Sequence, residues 1–155
     1  EKIRTADKIG IPYSINNIIG FPDETRELAF DTIELNRQFN SDNTNCSILV
    51  PFHGTELHKI CVEKGYLDPN GICSVSTQGD TLLNMPQWKK EDITRLRDVF
   101  AMYIKFPKNR WPEIKQAETD LELREKLREE FIKTYWGNAS AKIEDDIAEA
   151  AKGLF

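Results

Sequence analysis

The sequence predicts an α/β protein in which parallel strand–helix units are followed by a helical extension. Two short apolar runs, at residues 13–19 and 46–50, each stop at a turn marked by Gly or Pro and pass directly into an amphipathic helix. Parallel sheets and barrels are built from such units, because their strands are buried on both faces and the links are short. After residue 88 only helical periodicity remains, which predicts the extension.

Apolar residues at helical spacing define the two helices that flank the first strand. The first helix covers residues 1–9 and stops at Gly10. The second follows the turn at 20–23, with Asp23 as its N-cap, and covers residues 24–40. Its spacing predicts a single buried stripe, in which Ala29 and Ile33 lie beside one row of side chains: Leu28, Thr32, Leu35 and Phe39.

The remaining elements follow from capping and stop signals. A third helix begins after Thr55 and stops at Gly65. The polar stretch 67–87 lacks periodicity and is predicted to be a long loop, of the kind that often carries function. We therefore divide the chain into strand–helix units over 1–66, this loop, and a helical extension over 88–155.

Two apolar faces are predicted in the helical extension. Residues 88–104 place five large side chains on one face, which favours core packing over a cofactor cage: Trp88, Leu96, Val99, Phe100 and Tyr103. A second row recurs every four residues on a charged helix and is expected to pack on the rest of the protein rather than on a partner: Leu123, Leu127, Phe131 and Tyr135. Gly137 is its predicted stop, and a short helix with Ile143 and Ile147 completes the chain.

Composition excludes several classes of function. A hydrophobic fraction of 39% and a charged fraction of 30% are those of an ordinary water-soluble domain, not of a disordered or membrane protein. The net charge is −5 and no basic stripe occurs, so nucleic-acid binding is not supported. The chain has 3 cysteines, with no CxxC pair, which indicates neither a disulfide framework nor a metal knuckle. The expected compartment is the reducing cytoplasm.

The turn after the first strand is the first candidate for ligand binding. Backbone N–H groups at the start of the following helix point toward the end of the strand and favour an electron-rich ligand group. Asn16, Ile18 and Gly20 lie at alternate positions and so share one face of the strand. An amide, an apolar side chain and a bare backbone in this order would suit a nucleoside, although the same residues would also serve a tight turn with no ligand.

Two motifs resemble the second half of a radical S-adenosylmethionine (SAM) domain. They are Asn-Ile-Ile-Gly-Phe-Pro-Asp-Glu-Thr at residues 17–25 and Pro-Phe-His-Gly-Thr-Glu-Leu at residues 51–57, with Glu-Lys-Gly-Tyr at 63–66. The resemblance covers residues 1–66 and implies the C-terminal part of a partial parallel (β/α)6 barrel. Residues 88–117 are similar to the helical extension of the cobalamin-binding subgroup, a looser likeness.

The resemblance assigns positions to a SAM site. Ile18 and Gly20 would pack against the adenine, and Asn16 would reach the ribose or the substrate. Pro51 and Phe52 would meet the adenine from the second strand. The acidic residue Glu24 is expected to anchor the turn or the start of the helix rather than to act on the ligand.

The resemblance also implies cofactors that this chain does not hold by itself. The family binds a [4Fe–4S] cluster through CxxxCxxC, cleaves SAM reductively with electrons from a flavodoxin or ferredoxin-like protein, and in one subgroup uses cobalamin. The chain has no such spacing, and Cys46, Cys61 and Cys73 do not supply it. We therefore expect a fragment of a larger enzyme, inactive alone, in which Cys46 and Cys61 are small core residues.

A second class of function stays open from the sequence. The chain could be a non-catalytic α/β binding module whose acidic helical tail docks on a partner, and the coding sequence upstream of Glu1 would discriminate the two. His53, in the second turn, is a candidate for substrate contact or acid–base chemistry, although a histidine in a turn is more often only exposed. His58 lies on the charged side of its helix and is predicted to be on the surface.

Overall fold

The computed structural model describes residues 2–70 and 79–136. The chain begins with α1 (Lys2–Ile9), β1 (Ser14–Ile19), α2 (Arg26–Asn36), β2 (Asn43–Ile48) and α3 (Glu56–Glu63). It continues with α4 (Lys90–Lys105), a 3-10 turn at Lys108–Arg110, α5 (Trp111–Ala117), α6 (Leu121–Phe131) and a π-helical turn at Ile132–Trp136. Cys73 and the predicted features at Gly137, Ile143 and Ile147 lie outside the described residues.

The sheet consists of β1 and β2, which pair in parallel through the α2 crossover. The register joins Ser14 to Asn43 at one end and Ile19 to Ile48 at the other. One face of the sheet is covered, because α2 packs on β1 and α4 packs on β2 and on α2. On the other face, Asn16, Ile18 and Asn45 are exposed.

The predicted partial (β/α)6 barrel is wrong. Among the described residues the sheet has 2 strands and does not close. Closing a sheet requires every strand to pair along both edges, whereas β1 and β2 each pair along one. Between residues 90 and 136 the chain supplies helices instead of further strands, and α4 packs against β2. The two consecutive parallel strand–helix units are present as predicted, but they form a small open sheet.

The buried face of α2 agrees with the predicted stripe only in part. Ala29 and Ile33 are buried as predicted, together with Asn36, whereas Leu28 and Leu35 are 51% and 53% exposed. The two rows lie one position apart on the helix, so periodicity fits both about equally well. The close approach of α2 to β1 and α4 selects the row with a small residue and an amide.

Two threonines cap the helices that follow the strands. The Thr25 side chain accepts a hydrogen bond from the Leu28 N–H, so Thr25, and not Asp23, is the N-cap of α2. Thr55 caps α3 in the same way through the N–H of His58, as predicted. Both helix starts are therefore fixed within a few residues of the strand ends.

Helix α4 forms the centre of the core. The predicted large side chains of residues 88–104 are buried, which confirms core packing: Trp88, Leu96, Val99, Phe100 and Tyr103. The guanidinium of Arg37 donates to three carbonyl oxygens at the end of α4, those of Tyr103, Ile104 and Phe106, at 2.6–2.8 Å. These bonds satisfy carbonyl groups that a helix C-terminus leaves unpaired and attach α2 to α4.

The C-terminal helices pack onto this core. Leu127 and Phe131 of α6 are buried, and Leu123 and Tyr135 pack partly buried beside them, which confirms the predicted packing. The buried Glu118 after α5 accepts hydrogen bonds from Tyr103 and Arg26 at 2.7 and 2.5 Å. No helix among the described residues is long and apolar enough to span a bilayer.

A buried amide pair joins β1 to α2 and fixes how the helix sits on the sheet. Asn36 donates to the side-chain oxygen of Asn17 at 2.8 Å, and Asn17 donates back at 3.2 Å. Asn17 also donates to the Asn45 carbonyl of β2 at 3.1 Å. Both side chains are buried, and the side-chain oxygen of each accepts its hydrogen bond from the amide group of the other.

The replacement Asn36→Ala is expected to lower the free energy of unfolding by about 2 kcal/mol, since it removes the donor to the buried side-chain oxygen of Asn17. Urea denaturation followed by circular dichroism measures the change. Asp31→Ala, at an exposed position of the same helix, is the control and should change stability by less than about 0.5 kcal/mol. Equal effects of the two variants would show that the amide pair does not stabilise the fold.

Candidate functional site

Both predicted ligand turns lie at the same end of the sheet. Parallel strands point the same way, so the carboxyl ends of β1 and β2 are neighbours, and the Leu49 N–H donates to the Ile19 carbonyl at 2.9 Å. The turn at 20–25 leaves β1 there, and the turn at 51–55 leaves β2 there. The helix starts capped by Thr25 and Thr55 are found at this end as well. Ligands of open α/β sheets bind at this end.

Glu24 organises the first turn. One of its carboxylate oxygens accepts hydrogen bonds from the backbone N–H groups of Gly20 at 2.5 Å and Phe21 at 2.9 Å. The Glu24 N–H closes the turn by donating to the Phe21 carbonyl at 3.0 Å. Partial burial is the largest influence on the Glu24 carboxyl and raises its pKa, while the two N–H groups act in the opposite direction. The predicted anchoring role of Glu24 is confirmed.

Position 20 needs glycine because of its backbone conformation, and not in order to leave space for a ligand on the sheet. Its φ of +85° lies in the left-handed region, which side chains other than glycine rarely adopt. A Cβ placed there would point toward the core, 3.5 Å from Ile93 and 3.8 Å from Ile48. The alternation of faces that holds for Asn16 and Ile18 therefore ends before Gly20.

Asp23 joins the first turn to the end of α3. Its carboxylate contacts Lys64 at 2.7 Å and accepts a hydrogen bond from the Tyr66 hydroxyl at 3.0 Å. These two hydrogen bonds hold the pKa of Asp23 below its usual value. Asp23 also has a φ of 65°, a conformation that aspartate tolerates better than most residues. The ion pair thus holds the first turn against the unit that carries the second.

The remaining predicted SAM contacts differ in their exposure. Ile18 is 50% exposed and Asn16 is exposed beside it, with its side-chain oxygen accepting from Asn45 at 3.2 Å. Phe52 is 51% exposed beyond the end of β2. Pro51, in contrast, is buried in the core. Their roles toward a ligand stay predictions, but three of them are accessible to one.

The two histidines contact each other. The rings of His53 and His58 lie 4.3 Å apart between centroids, tilted by 40°. His53 is exposed, so it remains a candidate for substrate contact. The predicted surface position of His58 is wrong, because its side chain is buried and its Nε2 has no hydrogen-bond partner. The turn that precedes α3 covers this side of the helix, since the ring of His53 packs against that of His58.

The described cysteines do not fit a [4Fe–4S] cluster. Cys61 is fully buried and Cys46 half-buried, in different elements of the fold. Burial, with the charge of Glu24 adding to it, raises the pKa of Cys46 to about 12, so this thiol stays protonated at neutral pH. Cluster ligands are thiolates. In residues 2–70 and 79–136, no group of His, Cys, Asp and Glu has the arrangement of a metal site.

Comparison with known proteins shows similarity to a methyltransferase. The chain is 28% identical over 109 residues to an uncharacterized methyltransferase of Pyrococcus horikoshii. The match covers 70% of this chain and 24% of the relative, so the chain corresponds to about a quarter of that protein's length. No protein-family profile matches the chain. No solved structure matches it significantly.

Sequence reasoning missed several features near these turns. The link from Asp23 to Lys64 and Tyr66 joins residues more than 40 positions apart, and no local pattern signals it. The second strand is predicted to begin at residue 46, yet Asn45 lies in β2 and pairs with Asn16. The adjacent asparagines at 16 and 17, together with those at 43 and 45, could have indicated paired amides on neighbouring strands.

Replacing Glu24 by Ala is expected to lower the free energy of unfolding by roughly 2 kcal/mol, because two turn N–H groups lose their acceptor. Chemical denaturation measures the loss, and amide hydrogen exchange should show faster exchange at Gly20 and Phe21. Glu63→Ala, an exposed position at the end of α3, is the control. If both variants unfold at the same denaturant concentration, the turn does not depend on this carboxylate.

The lowered pKa of Asp23 predicts how the stability of the protein changes with pH. Since its folded-state pKa lies below the usual value of 3.8, its stabilising effect is present above that value and is lost as the pH falls through the folded-state pKa. Asp23→Asn, which tolerates the same φ, lacks this dependence. The difference in urea midpoint between the two proteins should therefore shrink from about pH 6 to about pH 3. A difference that stays constant over this range would contradict the assignment.

Proposed function

We propose that the exposed face of the β1–β2 sheet, at the carboxyl ends of its strands, binds the adenosine part of SAM in a methyl-transferring enzyme. Similarity to a methyltransferase supports SAM as the ligand. The parallel register supports the location, because it brings the two predicted turns to one end of the sheet. This register is the observation that carries the proposal.

The accessible residues offer the contacts that a nucleoside needs. Ile18 and Phe52 are both about half exposed, and burying them against an adenine ring would remove apolar surface from water. The amide pair of Asn16 and Asn45 presents donors and acceptors suited to ribose hydroxyls. Glu24 and Asp23 contribute by holding the first turn, so we assign them a positioning role.

SAM supplies an activated methyl group on its sulfonium, and the residues described here would bind and orient it. We further propose, from the motifs at residues 17–25 and 51–57, that the enzyme belongs to the radical SAM class. In that class a [4Fe–4S] cluster, an external reductant and in one subgroup cobalamin take part. The described cysteines do not fit the cluster, so its ligands would have to come from another segment, and we assign no step of the reaction to this chain.

Binding of S-adenosylhomocysteine to this chain tests the site. Isothermal titration should show saturable binding, and Ile18→Glu should weaken it at least about tenfold by placing a charge at the adenine contact. Leu28→Glu is a matched control, because Leu28 is 51% exposed and Ile18 is 50% exposed, and Leu28 lies on α2. The control should bind as the unchanged protein does.

Two outcomes would refute the assignment. Absence of measurable binding by the folded, unchanged chain at millimolar ligand would remove the adenosine site. Equal weakening by both glutamate variants would show that the ligand does not recognise the face that carries Ile18. The radical SAM class has a separate test: iron and sulfide analysis of the product of the complete coding sequence, purified without oxygen, should find the cluster.

A further inference from the structure

A cavity of about 310 Å³ lies where helices α2 and α4 begin, beside α5. Arg26 is the first residue of α2, Lys89 is the N-cap of α4, and Lys115 comes from α5. Lys89 is exposed and the side chain of Lys115 is 60% exposed, so the cavity opens to solvent. The residues that line it include none of the proposed SAM contacts.

Positive charge dominates this cavity. Its lining carries three cationic side chains, those of Arg26, Lys89 and Lys115, against the carboxylate of Asp92. Glu118, outside the lining, pairs with both Arg26 and Lys115, and Asp92 has its own arginine partner at 3.1 Å. Counting these partners, four cations face two carboxylates, and Lys89 forms no ion pair in the described part of the chain. This excess of positive charge favours an anionic ligand.

Two buried N–H groups of the lining residues have no acceptor. Trp88 borders the cavity and is 4% exposed, and its Nε1 forms no hydrogen bond within residues 2–70 and 79–136. The Nη1 of Arg26 is likewise buried without a partner, whereas its Nη2 donates to Glu118 at 2.5 Å. Because a buried N–H without an acceptor is unfavourable, oxygen atoms of a ligand in this cavity would stabilise both groups.

The start of α4 brings backbone donors to the same cavity. Its N-cap residue is Lys89, which makes no side-chain cap hydrogen bond. The first N–H groups of a helix have no partner within the helix and carry partial positive charge. Lys89 and Asp92 of this first turn line the cavity, whereas Glu91 is exposed and lies outside the lining. An anion in the cavity would therefore lie close to these backbone donors.

We propose that this cavity binds a phosphate group, either as inorganic phosphate or as the phosphate of a small organic ester. The donors come from three helices and from an indole, and a phosphate offers more oxygen acceptors to them than a carboxylate does. A water molecule would accept from the unpaired N–H groups but would leave the excess positive charge in place.

The order of contacts follows from burial. Lys89 and Lys115 are the accessible cations, so the phosphate is expected to contact them first. The unpaired nitrogens of Trp88 and Arg26 are covered by protein, and we expect binding to turn these side chains toward the ligand, since each N–H then gains a hydrogen bond.

Calorimetric titration with inorganic phosphate and with phenyl phosphate, in a chloride buffer, tests the site. At least one of them should bind saturably, and Lys89→Glu should weaken that binding about fivefold or more through charge reversal. Lys126→Glu makes the same charge change at an exposed position of α6 outside the cavity and should leave the affinity within about twofold. Tighter binding of phenyl phosphate would support the proposal with an ester as the ligand, and tighter binding of inorganic phosphate would support it with the free anion. Circular dichroism checks that both variants are folded.

The indole N–H of Trp88 gives a second readout, by proton–nitrogen correlation NMR. A new hydrogen bond to phosphate should move its resonance downfield, and the loss of that signal in Trp88→Phe assigns it among the three tryptophans. Acetate serves as the carboxylate control and should bind more weakly than either phosphate.

Four results would overturn the proposal. They are no binding of either phosphate at millimolar concentration, equal effects of the two glutamate variants, an unmoved Trp88 resonance at saturation, and acetate binding as tight as that of phosphate. None of these results depends on S-adenosylhomocysteine, so this proposal and the SAM site can fail independently.

Discussion

Parallel pairing between β1 and β2 determines where the proposed SAM contacts of this chain lie. The pairing needs a crossover, which α2 provides, and the buried amides of Asn17 and Asn36 hold that helix against the sheet. A shift by one residue would exchange the faces of the strands and separate these amides. With the register fixed, the strand ends are adjacent, and both turns emerge together.

The turns are then held by charged groups that need no ligand. Glu24 fixes the path of the backbone at Gly20 and Phe21, and the ion pair of Asp23 with Lys64 connects that turn to α3. A binding surface that is organised before its ligand arrives loses less conformational entropy on binding. This preorganisation is consistent with a site for a small molecule such as SAM.

The sheet is unusual in being parallel and covered on one face only. Parallel sheets are normally buried on both faces, and β1 shows why, since Ile18 on the open face is as apolar as Ile19 on the covered one. The proposed contact with an adenine ring would cover this apolar surface.

Local signals were sufficient for helices α1 to α4 and α6, for β1 and for the caps at Thr55 and Gly65, because these depend on spacing and on neighbouring residues. They did not predict α5, and they placed the second strand at 46–50 instead of Asn43–Ile48. They were insufficient for Leu28 and Leu35 on α2, where two adjacent rows have similar periodicity and only the contact with β1 and α4 chooses between them. His58 is a similar case, since burial depends on what packs over a residue and not on its helical position.

By itself, the sequence determined two consecutive parallel strand–helix units and the turns that end the strands, since glycine, proline and threonine act through their own backbone geometry and hydrogen bonds. Tertiary structure decided that these units form an open sheet of 2 strands instead of a barrel, that Asp23 pairs with Lys64, and that Arg26, Lys89 and Lys115 line one cavity. Each of these depends on groups far apart in the chain, which only packing brings within contact distance.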